Sequence, residues 1–150
     1  MSARAGVEVP GPDVLRATIA IAATPEEVFA YLIDPSLLVQ WIGTWADLDP
    51  VPGGLFALDI EGTAVRGRYV SVEPPDRVVF TWGVPGDAAL PAGSTTVEIL
   101  LRAHGDETIV ELLHHDLPSD QRAKHEAGWA SMLPRLAQTA DATGSRERDL

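Results

Sequence analysis

Near the C-terminal end of the chain, His114-His115-Asp116-Leu117-Pro118 leads into an apolar stripe at His125, Trp129, Met132, Leu133 and Leu136. The offsets i, i+4, i+7, i+8 and i+11 trace one face of a continuous helix. The pattern predicts a strand that passes through a proline turn into one long amphipathic helix, N-capped near Ser119 and ending about Ala140. A stripe of that length needs a surface to cover it, and the chain upstream is written mostly in the two-residue period of strands, so the helix must lie on a sheet. Its covered face carries His125 and Trp129 where most soluble helices carry aliphatic residues, which makes it the natural wall of a cavity. Gly128, beside the stripe, costs about 1 kcal/mol of helix propensity relative to Ala and implies a close approach to the sheet or to Trp82. Pro134 removes one helical hydrogen bond and crowds the Ala130 carbonyl, so a bend is expected there.

The segment Val14 to Ala22 alternates, with Leu15, Ala17, Ile19 and Ile21 on one face, as in a half-buried strand. Thr24-Pro25-Glu26-Glu27 follows as a capping box with proline at the first helical position. Val28, Phe29, Leu32 and Ile33 form the apolar face of that helix, and Asp34-Pro35 ends it, because the residue before proline avoids the α region. A second short helix over Pro35 to Ile42 buries Leu38, Trp41 and Ile42 and stops at Gly43, with Trp45 in the loop beyond. Turn residues then separate a meander of antiparallel strands: Leu55 to Ile60, Ala64 to Val72, Arg77 to Val84, Ser94 to Ala103 and Glu107 to His115. Two phases compete in Ala64 to Val72, where a β-bulge near Gly67 would reconcile them. In the last strand Thr108, Val110, Leu112 and His114 are read as inward, since the other face contains Glu111.

Length permits one compact domain, burying roughly 70% of the surface of the unfolded chain. We place it at residues 14–140, between expected tails at 1–13 and 141–150. A net charge of -11 opposes phosphate backbones and anionic membrane surfaces, so neither nucleic acid nor membrane is expected as a partner. The absence of cysteine removes disulfides, thiolate metal sites and thiol nucleophiles together. No apolar stretch before Pro10-Gly11-Pro12 resembles a secretory signal, which predicts a cytoplasmic protein. Arginine outnumbers Lys124, the only lysine, and this composition suggests a G+C-rich bacterial genome.

Chemistry rests on few groups. His114 and His115 are sequential on a strand and point to opposite faces, so they cannot chelate one metal together, and His115 is expected to be solvated. His125-Glu126 lacks the second histidine that a zinc-protease helix would carry at the position of Trp129. No metal and no cofactor are expected. Phosphate loops, nucleophile elbows and paired inward carboxylates are all missing. If a reaction is catalysed, proton transfer at a carbonyl compound with His114 or His125 as acid or base fits best. A hydrogen bond from His114 to a loop or to the last helix is the commoner role for such a residue, as core filling is for Trp41, Trp82 and Trp129.

The order of strand, two short helices, antiparallel strands and long C-terminal helix resembles the START-like or SRPBCC superfamily of helix-grip proteins. Within it the chain is similar to the bacterial homologues of the Hsp90 ATPase activator's C-terminal domain. The matching residues are Thr24-Pro25-Glu26-Glu27-Val28-Phe29, Trp41, Pro52-Gly53-Gly54-Leu55-Phe56, Gly67, Pro74-Pro75-Asp76-Arg77-Val78, Thr81-Trp82, Thr108, His114, Leu117-Pro118, His125 and Gly128-Trp129, between Leu15 and about Ala140. Pro134 departs from the family's usual uninterrupted helix. The resemblance implies an α+β fold whose antiparallel sheet wraps the C-terminal helix, with a cavity between them that holds hydrophobic or aromatic small molecules. Its expected lining is Trp41, Phe56, Leu58, Trp82, Val110, Leu112, His114, His125, Trp129 and Met132, suited to a planar or acyl ligand with one polar group. Superfamily members also include cyclases and a co-chaperone. The alternatives to ligand binding are therefore a cyclase or hydrolase using a cavity histidine, and a chaperone-interacting module. The last would need the additional N-terminal domain of the eukaryotic activator, which residues 1–13 are too few to supply. Edge strands and the apolar loop from Val84 to Pro91 offer surfaces for a homodimer.

Overall fold

The computed structural model describes residues 14–149; the expected tail at 1–13 lies outside them. Strand β1 (Leu15–Ile21) precedes helices α1 (Pro25–Ile33) and α2 (Pro35–Leu38). Strands β2 (Trp45–Leu48), β3 (Leu55–Ile60), β4 (Thr63–Glu73), β5 (Arg77–Trp82), β6 (Thr95–His104) and β7 (Glu107–His115) follow, and helix α3 (Ser119–Asp149) closes the order. All seven strands form one antiparallel sheet in the order β1-β7-β6-β5-β4-β3-β2. This is the helix-grip architecture that the sequence implied. No helix among the described residues is long and apolar enough to cross a membrane.

Local signals explain most of the elements. The Thr24 hydroxyl accepts from the Glu27 amide at 3.1 Å and the Glu27 carboxylate accepts from the Thr24 amide at 2.8 Å, so the capping box is complete. The buried face of α1 is Val28, Phe29, Tyr31 and Leu32. In β7 the alternation is strict: Thr108, Val110, Leu112 and His114 are all fully buried, as expected. His115 is on the outer face but is not simply solvated. It is half-buried and its Nε2 donates to Glu98 at 3.2 Å, within a network that includes Arg77 and Glu73.

Three features differ from the sequence reading. Trp45 begins an edge strand instead of sitting in a loop; four residues are too few to show a period, and β2 is specified by its pairing with β3, from Trp45 opposite Asp59 to Leu48 opposite Phe56. The irregularity in β4 lies between Tyr69 and Ser71, beyond Gly67, and puts Val65 and Tyr69 inward with Val70 exposed. Helix α3 continues to Asp149, past the expected end near Ala140, and Asp141 accepts from the Ala22 amide at 2.7 Å, which holds this helix against the β1–α1 turn. The same helix runs through Pro134 without interruption. Pro134 and Ala130 both lie on the exposed face, so water can reach the carbonyl that proline leaves without a helical donor, and the residue does not border the cavity stripe.

The core forms between the inner sheet face and the three helices. Phe56 stacks on Phe80 with ring centroids 3.9 Å apart, and Tyr69 meets Phe56 edge-on at 5.6 Å. Buried polar atoms in this apolar region are matched by backbone carbonyls: Tyr69 Oη donates to Leu32, and Trp41 Nε1 donates to Tyr31. Both bonds tie α1 to its surroundings. Gly67 is required by contact, since a Cβ there would stand 2.0 Å from the Thr81 carbonyl oxygen. Replacing it with Ala forces strands β4 and β5 apart, and a loss of about 1–3 kcal/mol is expected in urea unfolding. A Gly67→Ala variant within about 0.5 kcal/mol of the native protein would contradict this account of the strand contact.

Candidate functional site

One hydrogen-bonded chain joins the last helix to the sheet. Trp129 Nε1 donates to His114 Nδ1 at 3.1 Å. The indole has only a donor, so Nδ1 must carry a lone pair, and the neutral imidazole then holds its proton on Nε2. That nitrogen lies 2.9 Å from Thr95 Oγ1, and the Thr95 hydroxyl donates onward to the Trp82 carbonyl at 2.8 Å. Every polar atom in the chain is satisfied, and Trp129, His114 and Thr95 are all buried. Burial pushes the His114 pKa down to about 3, assisted by His125 and His115 nearby. Protonating it would also turn Nδ1 into a donor facing the Trp129 donor. His114 is therefore a fixed neutral connector, which removes it as an acid or base at ordinary pH.

Aromatic rings gather around that chain. Trp82 and Trp129 have centroids 5.3 Å apart, and His125 stands perpendicular to His114 at 5.2 Å and 6.3 Å from Trp82. His125 Nδ1 lies 2.9 Å from the Gln121 carbonyl, one helical turn earlier, and so carries a proton. Burial lowers its pKa against the raising effect of that carbonyl, with Lys124 contributing to the lowering.

Beside this cluster lies a cavity of about 620 Å³ between α3 and one end of the sheet. Ile60, Glu61, Thr63 and Val65 form one wall from the β3–β4 hairpin, whose two-residue turn Glu61-Gly62 has positive φ at both positions. Trp82 ends β5 at the back. Val84, Asp87 and Leu90 come from the loop after β5, which is held closed by a 2.7 Å bond from the Val84 amide to the Leu90 carbonyl. Helix α3 supplies Gln121, Lys124, His125, Gly128, Trp129 and Met132. A Cβ on Gly128 would meet only Met132 Cε at 3.6 Å, so this glycine is not forced by the close approach expected of it; it leaves open space on the cavity wall.

Of the ten residues expected to line a site, Trp82, His125, Trp129 and Met132 lie on the cavity wall. Trp41, Phe56, Leu58, Val110, Leu112 and His114 are inward as expected but packed in the core, away from it. Trp41 sits with α1, Phe56 stacks on Phe80, and His114 supports Trp129 from behind. The sequence reading missed the hairpin wall and the use of the loop. Leu90 is buried and Val84 is packed against the core, so these two side chains of the loop turn inward to the cavity, while Pro85, Ala88, Ala89 and Pro91 stay exposed. Among the described residues no group of three His, Asp or Glu side chains is placed to hold a metal ion.

Residues 22–141 match the family described as activator of Hsp90 ATPase homolog 1-like protein. The chain belongs to that family. An AHSA1-like protein from Rhizobium etli, solved by NMR, is 39% identical over 85% of this chain and 81% of its own, with a TM-score of 0.69. A protein from Mesorhizobium loti is 23% identical with a TM-score of 0.77, covering 87% of this chain and 98% of its own. A Colwellia psychrerythraea protein solved as an Aha1 dimer is 18% identical with a TM-score of 0.76, covering 85% and 96%. The last two show the fold alone. Among curated proteins none matches.

The neutral connector gives this AHSA1-like protein a pH signature. An unfolded His takes up a proton below about pH 6.5, whereas folded His114 does so only near pH 3. Its contribution is therefore complete above pH 6.5 and declines as pH falls toward 3, by about 1–2 kcal/mol between pH 7 and 5. The lowered pKa of His125 acts in the same direction. Urea unfolding should show this decline in the native protein and a shallower one in His114→Gln, which starts less stable at pH 7. Equal slopes for both would contradict the assignment.

Proposed function

We propose that the protein binds a small, largely apolar, planar molecule in the cavity between α3 and the sheet. The observation that carries this reading is an aromatic-backed space of about 620 Å³, inside the range of roughly 300–1,000 Å³ typical of small-molecule sites. Trp82 and Trp129 offer ring surfaces, while Val65, Val84, Leu90 and Met132 complete an apolar enclosure. Its polar groups are Glu61, Thr63 and Asp87 on the sheet side with Gln121, Lys124 and His125 on the helix. Such a division places the apolar body of a ligand inside and lets one polar group fix its orientation.

Catalysis is the second reading, favoured by His125 alone. Its ring borders the cavity and, among the described residues, no group meets its Nε2, so it can take a proton from a bound molecule, whereas His114 is engaged at both nitrogens. A chaperone-interacting role draws support from the family's name, but the apolar cavity favours the small-molecule reading.

Binding of N-phenyl-1-naphthylamine, followed by quenching of tryptophan emission, tests the site. Saturable binding is expected. Gly128→Leu should fill the cavity and weaken the probe by about tenfold or more, while better helix propensity keeps the fold stable. Trp45→Ala, which removes an exposed side chain that is not part of the cavity wall, should leave affinity unchanged. Absence of saturable binding, or native affinity in folded Gly128→Leu, would contradict the proposal.

A further inference from the structure

The polar groups of the cavity constrain what kind of ligand fits, and this step rests on the cavity's being a binding site. His125 occupies a position where its Nδ1 faces the helix's own Gln121 carbonyl at 2.9 Å. A carbonyl accepts only, so Nδ1 is the protonated nitrogen of the neutral ring. Nε2 then carries the lone pair. The two ring nitrogens are on opposite sides of the imidazole, so fixing Nδ1 against the helix backbone turns Nε2 away from it. Among the described residues no donor meets Nε2, although the ring is half-buried between Trp82, His114 and the cavity. A half-buried acceptor that no protein group meets is available to a donor on a bound molecule, and enclosing it without one carries a desolvation cost.

The neighbouring groups do not relieve it from within. Trp129 has already given its indole proton to His114, and the His114 proton is committed to Thr95. Trp82 Nε1 has no part in that chain, and the Trp82 ring meets His125 at a steep angle of 72° with centroids 6.3 Å apart. The cavity thus combines aromatic surfaces on Trp82 and Trp129 with an acceptor, His125 Nε2, set within the same ring cluster.

We infer that the cavity selects planar aromatic molecules bearing a hydroxyl donor, such as a phenol or enol, whose O–H bonds to His125 Nε2 while the ring rests against Trp82 and Trp129. Ethers and unsubstituted arenes of the same shape fit the walls but leave Nε2 unpaired. Discrimination should be modest for one neutral hydrogen bond, roughly three- to tenfold in affinity.

Naphthalene, 2-methoxynaphthalene and 2-naphthol separate shape from donor. The native protein should bind all three and favour 2-naphthol over 2-methoxynaphthalene by roughly three- to tenfold, and His125→Phe should bind naphthalene but lose that preference. Long-range ¹H–¹⁵N spectra of the native protein provide a reading that needs no variant. Free His125 should carry its proton on Nδ1, and the Nε2 resonance should move on adding 2-naphthol but not naphthalene. Equal affinity for 2-naphthol and 2-methoxynaphthalene, or a free His125 protonated on Nε2, would overturn the inference while leaving the cavity a binding site. Failure of all three compounds to bind would instead remove the binding reading on which the inference stands.

Discussion

The bond from the Trp129 indole to His114 determines how the last helix sits on the sheet. An indole N–H buried without an acceptor, or an imidazole buried without partners, would each cost more than a hydrogen bond returns in water. Here the two costs cancel against each other, and Thr95 accepts from the imidazole Nε2–H while its own hydroxyl donates to the Trp82 carbonyl. The chain runs from α3 through β7 and β6 to the end of β5, so one set of directional contacts fixes the helix against three strands. Leucines could have supplied the apolar burial. They could not have supplied this register, because dispersion and hydrophobic contacts have no direction.

That fixed register leaves space beside it. Trp82 is at the last position of β5, where the chain leaves the sheet, and the loop from Val84 to Leu90 folds back to cover the gap between sheet and helix. The β3–β4 hairpin, ending in Ile60 and Glu61, meets the helix from the other side. The resulting cavity has a floor that holds its own hydrogen bonds, which is the preorganised setting in which a single ligand bond can discriminate. Gly128 keeps the helix wall low at this point, at a cost in helix propensity.

Much of this was legible in the residues, for identifiable reasons. Thr24-Pro25-Glu26-Glu27 contains its whole capping mechanism within four positions, and the alternation from Glu107 to His115 is long enough to decide which side of β7 faces inward. Those signals are local. Burial of Phe56, Leu58, Val110 and Leu112 was legible too, but alternation says only that a side chain points inward; whether it meets another side chain or a void depends on shapes contributed by distant elements. Phe56 meets Phe80, whereas Trp82, packed against Trp129, also borders the cavity. Strand β2 escaped notice because its pairing with β3 specifies it. The loop from Val84 to Pro91 was visibly apolar, and only the fold shows that Val84 and Leu90 turn to the cavity while Pro85, Ala88, Ala89 and Pro91 stay exposed.

The protonation state of His114 tests this account most directly. In ¹⁵N-edited spectra recorded from pH 8 to 5, His114 should remain neutral with its proton on Nε2, and that proton should exchange slowly with water because Thr95 and the surrounding rings enclose it. A His114 that titrates near the ordinary histidine value, or that carries its proton on Nδ1 in the folded protein, would mean that Trp129 does not donate to it and that the helix is held against the sheet by some other means.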